Sequence, residues 1–294
     1  MSRRSGLNKR DWSLVLFTCL SQASIGIILW LLIVHGLSYG GDWVSETGLA
    51  MRNPVLIALV LMGVATFISF LHLGSPQNAP YSLSNLAGSW LSREILFINL
   101  YAASLLLIFA LGWHSGDVNS LGTWITLSSL LGLALLWMMI RIYVMPTIPT
   151  WNTWYTPLSF VCTTVSLGAV IMLLLETAAS VHATENITRL LLPALIIILS
   201  LELLSSVMHH ASIQKIPGGL QKPEFRQGRY YQVHILRTVI LAVTIIGMIF
   251  VHGGLLPVSA NIEYPWLVLC LALIISQELL GRLLFYASYF RIGF

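Results

Sequence analysis

Long apolar segments dominate this sequence and restrict what the chain can fold into. Most of them reach the roughly 20 apolar residues that a helix needs to cross a bilayer. The alternation of apolar and polar residues that marks a transmembrane barrel is missing. We therefore predict an all-α integral membrane protein, with a single membrane domain over residues 1–294. Its eight predicted transmembrane helices are Trp12–Gly36, Asn53–Leu73, Leu91–Trp113, Gly122–Val144, Tyr155–Glu176, Ile187–His210, Tyr230–His252 and Tyr264–Ser288.

The composition agrees with lipid as the main solvent of the chain. Only 9% of the residues are charged and the mean hydropathy is +0.84, whereas soluble domains carry roughly 25% charged residues. The first span is too long for a signal peptide, and no small-residue cleavage site follows it. Cys19, Cys162 and Cys270 lie in separate spans without the spacing of metal ligands. We therefore expect no iron–sulfur cluster, zinc or other metal in this chain.

An even number of spans places both termini on one side of the membrane, here called the N side. Lys and Arg residues concentrate in the N-terminal tail and in the loop after the sixth span, whereas the opposite side offers only Arg52 and Arg189. Such residues accumulate on the cytoplasmic side of bacterial inner membranes, which predicts that both termini are cytoplasmic. The basic loops could instead serve to bind an acidic partner.

Ionisable side chains within the spans concentrate toward the N side. Each is a candidate functional residue, because a charged group inside a bilayer costs several kcal/mol. We expect the middle of the membrane domain, by contrast, to be almost entirely apolar. The N-side candidates are His72, Arg93, Glu94, Arg141, Glu202, His209, His210, His234, Arg237, Glu278 and Arg282.

Several of these residues also have a purely structural interpretation. Arg93 and Arg141 lie at span ends and could be interfacial anchors. Glu94 could simply stabilise the positive end of a helix dipole. Glu278 and Arg282 are four residues apart, so they could pair on one helix face and neutralise each other.

The two halves of the sequence resemble each other weakly. A histidine closes the second span of each half, in LHLGSP and in VMHHAS. An Arg followed by a Tyr closes the fourth span of each half: Arg141 and Tyr143 in the first, Arg282 and Tyr286 in the second. This pattern predicts two four-helix bundles in a parallel repeat about an axis normal to the membrane.

Three sequence blocks resemble the membrane anchor subunits of bacterial dimethyl sulfoxide reductases, within the wider group of polysulfide-reductase-type eight-helix anchors. The length and the span count agree with that family over the whole chain. The blocks are LHLGSP at 71–76, SLSNLAGSWLSREI at 82–95 and WMMIRIYVMPTIPTWNTWYTP at 137–157, with support from QELLGRLLFY near the C-terminus.

The resemblance implies an anchor that has no haem, cluster or metal of its own and that oxidises menaquinol in anaerobic respiration. It implies a four-cluster iron–sulfur subunit that receives the electrons and, through it, a molybdopterin catalytic subunit. His72 and Glu94 match the residues of the family's quinol site. Further candidates for contacts to the quinol are Gly74, Ser75, Pro76, Arg93, Arg141, Tyr143, Glu278 and Arg282.

The chemistry of quinol oxidation fits these residue types. The reaction releases protons along with electrons, so the site needs an acceptor beside a quinol hydroxyl. Histidine, with an unperturbed pKa of about 6.5, suits that task, although His72 could also be a structural imidazole at a helix end. Glu94 at the membrane edge could relay the proton to water. The loop with Gly74 and Pro76 can turn tightly and expose backbone donors.

The predicted orientation departs from the family pattern in one respect. The family's catalytic partners often carry export signals, whereas the charge distribution places the side with His72 in the cytoplasm. Either the partners are cytoplasmic, or the basic loops serve docking and do not report orientation.

Two other functions fit parts of the sequence. A secondary transporter would need polar groups near the middle of the membrane, where we expect apolar positions. A haem b cytochrome subunit would need facing histidines inside the spans, but those present lie at span ends. The proposed ligands would be His234 and His252, which are 18 residues apart, with His209 or His210 and His35 or His114 as partners.

Overall fold

The structure is a computed structural model that describes residues 9–38, 52–70, 83–114, 118–179, 184–213, 228–253 and 260–289. Within these ranges the chain forms helices long and apolar enough to cross a membrane, and no strand. The predicted all-α membrane protein with eight spans is therefore confirmed. The helices are α1 (Lys9–Ser38), α2 (Arg52–Phe70), α3 (Trp90–His114), α4 (Val118–Tyr143), α5 (Tyr155–Ala179), α6 (Thr184–Ile213), α7 (Arg229–His252) and α8 (Ala260–Ala287).

The helices pack as two rings of four. In the first ring α1 contacts α2, α2 contacts α3, α3 contacts α4, and α4 returns to α1. The second ring repeats this order with α5 to α8. The rings meet mainly through α1 and α5, which are also the most buried spans. Lesser contacts of α1 with α8 and of α5 with α4 are equivalent under exchange of the two rings, as a parallel repeat requires.

Two glycines allow the central helices to approach closely. A Cβ at Gly26 of α1 would lie 1.9 Å from the carbonyl oxygen of Thr164 on α5. A Cβ at Gly168 would lie 2.3 Å from the carbonyl carbon of Gly26. The hydrophobic effect does not drive apolar helices together in lipid, so van der Waals packing is a main source of stability there. Small residues strengthen this packing because they let the helix backbones approach closely. Trp30 adds a hydrogen bond from its indole N–H to the carbonyl oxygen of Val165, at 2.9 Å.

The ends of several helices meet at one edge of the domain. The end of α4 contacts the end of α8 through the hydroxyls of Tyr143 and Tyr286. The start of α5 meets the end of α6, where the ring of Tyr155 stacks on His209. This is the N-side edge, where the sequence places most of its ionisable side chains.

Candidate functional site

The loop that carries the first candidate residues lies outside the described part of the chain. His72, Gly74, Ser75 and Pro76 follow the end of α2 at Phe70 and precede residue 83. Their roles stay predictions. The candidates on the other side of the loop are described, because the chain re-enters at residue 83 and forms a short 3₁₀ turn before α3 begins.

Arg93 is held by the turn that precedes its own helix. Its Nε donates to the carbonyl oxygen of Leu86 at 2.7 Å, and its Nη2 donates to that of Ala87 at 2.6 Å. The guanidinium carbon lies 4.3 Å from the ring centroid of Trp90. These contacts fasten the turn to the start of α3, so the guanidinium of Arg93 positions the loop.

Arg141 approaches the same tryptophan from the last turn of α4. Its guanidinium carbon lies 4.9 Å from the ring centroid of Trp90 and 5.8 Å from that of Trp137, a placement in which cation and ring attract each other. Its Nε is buried and has no hydrogen-bond partner among the residues that the structure describes. The two tryptophans were not selected from the sequence, although aromatic residues at span ends are typical of membrane interfaces.

Glu94 is the most unusual residue at this edge. Its side chain is only 6% exposed, and no hydrogen bond or ion pair within the described ranges involves its carboxyl group. The helix dipole acts most strongly within the first turn of a helix. Glu94 lies beyond the first turn of α3, so the dipole does not account for its position. A carboxyl group buried in a span without a protein partner is costly. Glu94 is therefore the best candidate at this edge for contact with a ligand.

Tyr143 connects this edge with the second ring of helices. Its hydroxyl lies 2.7 Å from that of Tyr286, and it interacts electrostatically with Glu94. Its ring packs edge-on against Trp151 and Phe285, with centroids 5.5 and 5.4 Å apart. Tyr143 ends the fourth helix of the first bundle and Tyr286 lies in the last turn of the fourth helix of the second, so this contact joins the two bundles at equivalent positions.

Glu278 and Arg282 do not form the direct ion pair that their spacing allows. Glu278 accepts hydrogen bonds from Thr163 Oγ1 at 2.7 Å and Ser166 Oγ at 2.9 Å, both on α5. Arg282 donates from Nη2 to Gln22 Oε1 on α1 at 2.7 Å and to Thr163 Oγ1 at 3.1 Å. Direct neutralisation is therefore the wrong interpretation. Partners on neighbouring helices replace it, and the two residues tie α8 to α5 and α1.

A buried ion pair joins α6 to α7 close to Glu278. Arg237 Nη2 hydrogen-bonds to the carboxylate of Glu202, and the two residues are 1% and 0% exposed. Arg237 Nη1 donates to the hydroxyls of Tyr155 and Ser206, each at 3.0 Å. Both charged residues are among the N-side candidates of the sequence, but neither was chosen as a site residue. The residue pattern along one helix does not reveal which residue of another helix a given side chain contacts.

The carboxyl groups of Glu202 and Glu278 interact electrostatically with each other. Both residues lie near the middle of their spans, so we name the set Glu202, Arg237, Glu278 and Arg282 the midplane cluster. Glu202 is about 16 Å from the end of α6, at 1.5 Å per residue. The expectation of an almost entirely apolar middle is therefore wrong for the second bundle.

A small cavity lies between the N-side edge and the midplane cluster. Its walls contain two stacked ring pairs, Tyr155 on His209 at 4.1 Å and His210 on His234 at 4.2 Å between centroids. Its volume is about 10 Å³, close to the space that one water molecule needs. The cavity therefore suits water and is too small for a quinol ring. The lining residues are Tyr155, Ser206, His209, His210, Tyr230, His234, Arg237, Gly281, Leu284 and Phe285.

The histidines considered as haem ligands lie at opposite edges of the domain. His209 and His210 close α6 at the N-side edge, whereas His35 closes α1 and His114 closes α3 at the other edge. A pair drawn from opposite edges cannot ligate one iron. The same-edge pair of His210 and His234 stacks ring on ring with centroids 4.2 Å apart, which leaves no space for an iron between the two rings. Within the described ranges, no group of three or more His, Cys, Asp and Glu residues could hold a metal ion.

Comparison with known proteins relates the whole chain to one family. Residues 4–288 match the family described as DMSO reductase anchor subunit (DmsC). The sequence is 30% identical over 296 residues to the YnfH subunit of an anaerobic dimethyl sulfoxide reductase of Escherichia coli K12, covering 96% of each protein. It is 29% identical over 297 residues to the C subunit of the anaerobic dimethyl sulfoxide reductase of that organism, covering 98% of each. The C subunit from Haemophilus influenzae is 27% identical over 288 residues, covering 95% of each.

Proposed function

Because the chain belongs to the DMSO reductase anchor subunit family, we propose that it binds menaquinol at the N-side edge, oxidises it and passes the electrons to an iron–sulfur partner subunit. That partner carries four clusters and in turn feeds a molybdopterin catalytic subunit in anaerobic respiration. The chain is a multi-pass membrane protein. We place it in the bacterial cytoplasmic membrane with both termini in the cytoplasm, supported by the distribution of Lys and Arg.

The burial of Glu94 is the observation that carries this proposal. A carboxyl group that lies inside a span without a partner among the described residues is kept there at a cost, and a ligand hydroxyl would supply a hydrogen bond to it. Glu94 lies one turn from the start of α3, so a proton that it receives has a short path to water. A quinol hydroxyl that loses its proton as electrons leave meets both requirements.

His72 is the proposed first acceptor of the quinol proton. It lies in the segment that joins α2 to α3, and the loop after it, with Gly74, Ser75 and Pro76, returns to the helix that carries Glu94. A neutral imidazole accepts a proton at neutral pH, and Glu94 then relays that proton to the N-side water. The two residues thus have separate proposed roles, acceptance and relay.

Neighbouring side chains supply the binding contacts in this proposal. The buried Nε of Arg141, which lacks a partner among the described residues, would donate to a ring oxygen of the quinone product. Trp90, beside Arg141, offers an aromatic face at the same edge. Tyr143 holds the floor of the site against the second bundle through its bond to Tyr286.

The partner subunit would cover the same edge. Residues 145–154 form a packed segment there, because the indole of Trp151 stacks on Phe285 at 5.1 Å and donates to its carbonyl oxygen at 2.8 Å. Met145 and Trp154 of the same segment are exposed. A firm base with exposed apolar side chains is typical of a protein interface, and it would bring the nearest cluster close to the quinol.

The test compares two electron donors on the same membranes. We expect His72→Ala to abolish turnover supported by menaquinol, since a general base typically contributes about 10²–10⁴-fold. Glu94→Gln keeps the shape of the side chain and should slow the same reaction. Turnover supported by a dye that reduces the partner subunits directly should survive both changes.

Glu176→Gln is the matched control, because it makes the same chemical change near the far end of α5. It should leave both activities intact. If the dye-supported and quinol-supported rates fall together in the His72 and Glu94 variants, these residues support assembly and the proposal is wrong.

A further inference from the structure

Two guanidinium groups share the indole of Trp90 at the N-side ends of α3 and α4. Their central carbons lie 4.3 Å (Arg93) and 4.9 Å (Arg141) from the ring centroid. Within the described ranges neither group takes part in an ion pair. Two positive charges held beside one ring repel each other, and the indole carries no net charge to balance them. The pair therefore favours the binding of an anion.

Both guanidinium groups have donors left for such an anion. Arg93 uses Nε and Nη2 for the carbonyl oxygens of Leu86 and Ala87, and its Nη1 bonds to no described residue. The guanidinium of Arg141 makes no hydrogen bond to a described residue through any of its nitrogens. Planar groups of this kind match the oxygens of a phosphate, which accepts two N–H bonds from one guanidinium.

An exposed apolar stripe leads from Arg141 into the membrane. Leu130, Leu133 and Trp137 precede Arg141 at steps of three or four residues, so all four lie on one face of α4. The three apolar side chains are 59%, 44% and 51% exposed. Leu130 is about 16 Å from Arg141 along the helix, close to half of the roughly 30 Å hydrocarbon core. The stripe therefore has the length of one acyl chain in one leaflet.

Trp137 connects the cations with this stripe. Its ring centroid lies 5.8 Å from the guanidinium carbon of Arg141, and its exposed side chain lies at the depth where tryptophans meet lipid headgroups. The positive charge and the apolar surface are thus parts of one continuous site. A phosphate joined to an acyl chain matches both parts.

We propose that the N-side edge between α3 and α4 binds one anionic phospholipid, whose phosphate accepts hydrogen bonds from Arg93 and Arg141 and whose acyl chain lies along Leu130, Leu133 and Trp137. Basic sites between helices at the cytoplasmic surface are typical binding sites for anionic headgroups. A carboxylate of the partner subunit or a free phosphate would match the charges but would leave the stripe unused. A zwitterionic lipid would bring its own cation close to the two arginines.

The proposal does not depend on quinol oxidation. A guanidinium has five N–H groups, so the Nη nitrogens of Arg141 can bind a phosphate while its Nε remains for the proposed contact to a quinone. Lipid binding is also measured without any quinol present, so the two proposals can fail separately.

Native mass spectrometry of the purified complex with its partner subunits tests the proposal. The complex is mixed in detergent with equal amounts of phosphatidylglycerol and phosphatidylcholine, and the fraction that retains each lipid is measured. We expect one phosphatidylglycerol on the unmodified complex and its loss in Arg141→Gln, which keeps a polar side chain but removes the charge. Arg52→Gln makes the same change at the start of α2, at the opposite edge, and should retain the lipid.

Several results would overturn the lipid site. One is equal retention of the two lipids by the unmodified complex, a comparison that needs no variant to fold. Equal retention of phosphatidylglycerol in Arg141→Gln and the unmodified complex is another. An unmodified complex without bound lipid would indicate that another group, such as a carboxylate of the partner, neutralises the arginines. Displacement of the lipid by excess inorganic phosphate would make the free anion the ligand.

The position of the acyl chain has a separate test. Leu133→Asn places a polar group in the stripe and should lower the fraction of complex that retains phosphatidylglycerol. Leu106→Asn changes another exposed leucine, toward the opposite end of α3, and should not. Equal retention in the two variants would overturn the placement of the chain along α4.

Discussion

Replacing Gly281 by alanine is expected to displace Arg237 from its buried ion pair. A Cβ at Gly281 would lie 2.7 Å from Cζ of Arg237 and 2.8 Å from its Nε and Nη2. The guanidinium has no free direction in which to move, because hydrogen bonds to Glu202, Tyr155 and Ser206 hold it. The variant therefore has to break at least one of these bonds or shift α8.

The expected loss follows from two opposing terms. Breaking a hydrogen bond to a charged group costs about 1.5–3 kcal/mol. Alanine otherwise stabilises a helix relative to glycine by up to about 1 kcal/mol. Gly63→Ala on α2 is the matched control, because a Cβ there would meet no atom within 4 Å and only the gain applies. The free energies of unfolding of the two variants should differ by about 1.5–3 kcal/mol.

The assay is reversible unfolding in mixed micelles of a mild detergent and sodium dodecyl sulfate, followed by the helical circular dichroism signal. Gly281→Ala should unfold at a lower fraction of sodium dodecyl sulfate than the unmodified chain, and Gly63→Ala at an equal or higher fraction. If the two variants unfold together, Arg237 is not held as the structure describes, and the argument fails.

Three further substitutions test the packing of the bundles in the same assay. Gly26→Ala should destabilise the protein more than Gly281→Ala, because its Cβ would lie 1.9 Å from the backbone oxygen of Thr164. No side-chain rotation can relieve a clash with the backbone. A stability equal to that of the unmodified protein would contradict the close α1–α5 contact. Tyr143→Phe should cost about 1 kcal/mol through the lost hydrogen bond to Tyr286. Adding Tyr286→Phe should then cost little more, whereas two fully additive losses would show that the hydroxyls do not interact.

The helices themselves could be predicted from the sequence because apolar length is a local signal. The predicted spans Leu91–Trp113 and Tyr230–His252 nearly coincide with α3 and α7. The helices α1 and α6 extend beyond their predicted spans, since a helix can continue past the apolar residues into the interface. The repeat of four spans also anticipated the equivalence of Tyr143 and Tyr286, which the structure shows as a contact.

Contacts between helices could not be predicted in this way. The spacing of Glu278 and Arg282 allowed a pair within one helix, but Thr163 on α5 offers each a partner and separates them. The meeting of Glu202 with Arg237 depends on how α6 and α7 are rotated. Averaged hydropathy over a span also conceals single charged residues, which is why the middle of the second bundle was expected to be apolar.

The most direct test of the proposed function is the rate at which menaquinol reduces the iron–sulfur clusters of the assembled complex in a single turnover. Rapid mixing under anaerobic conditions would follow the loss of cluster absorbance in the unmodified complex, in Glu94→Gln and in Glu176→Gln. We expect Glu94→Gln to slow cluster reduction, with the final extent of reduction unchanged and Glu176→Gln behaving like the unmodified complex. Cluster reduction at the unmodified rate in Glu94→Gln would contradict the proposal that this buried carboxyl group takes part in quinol oxidation.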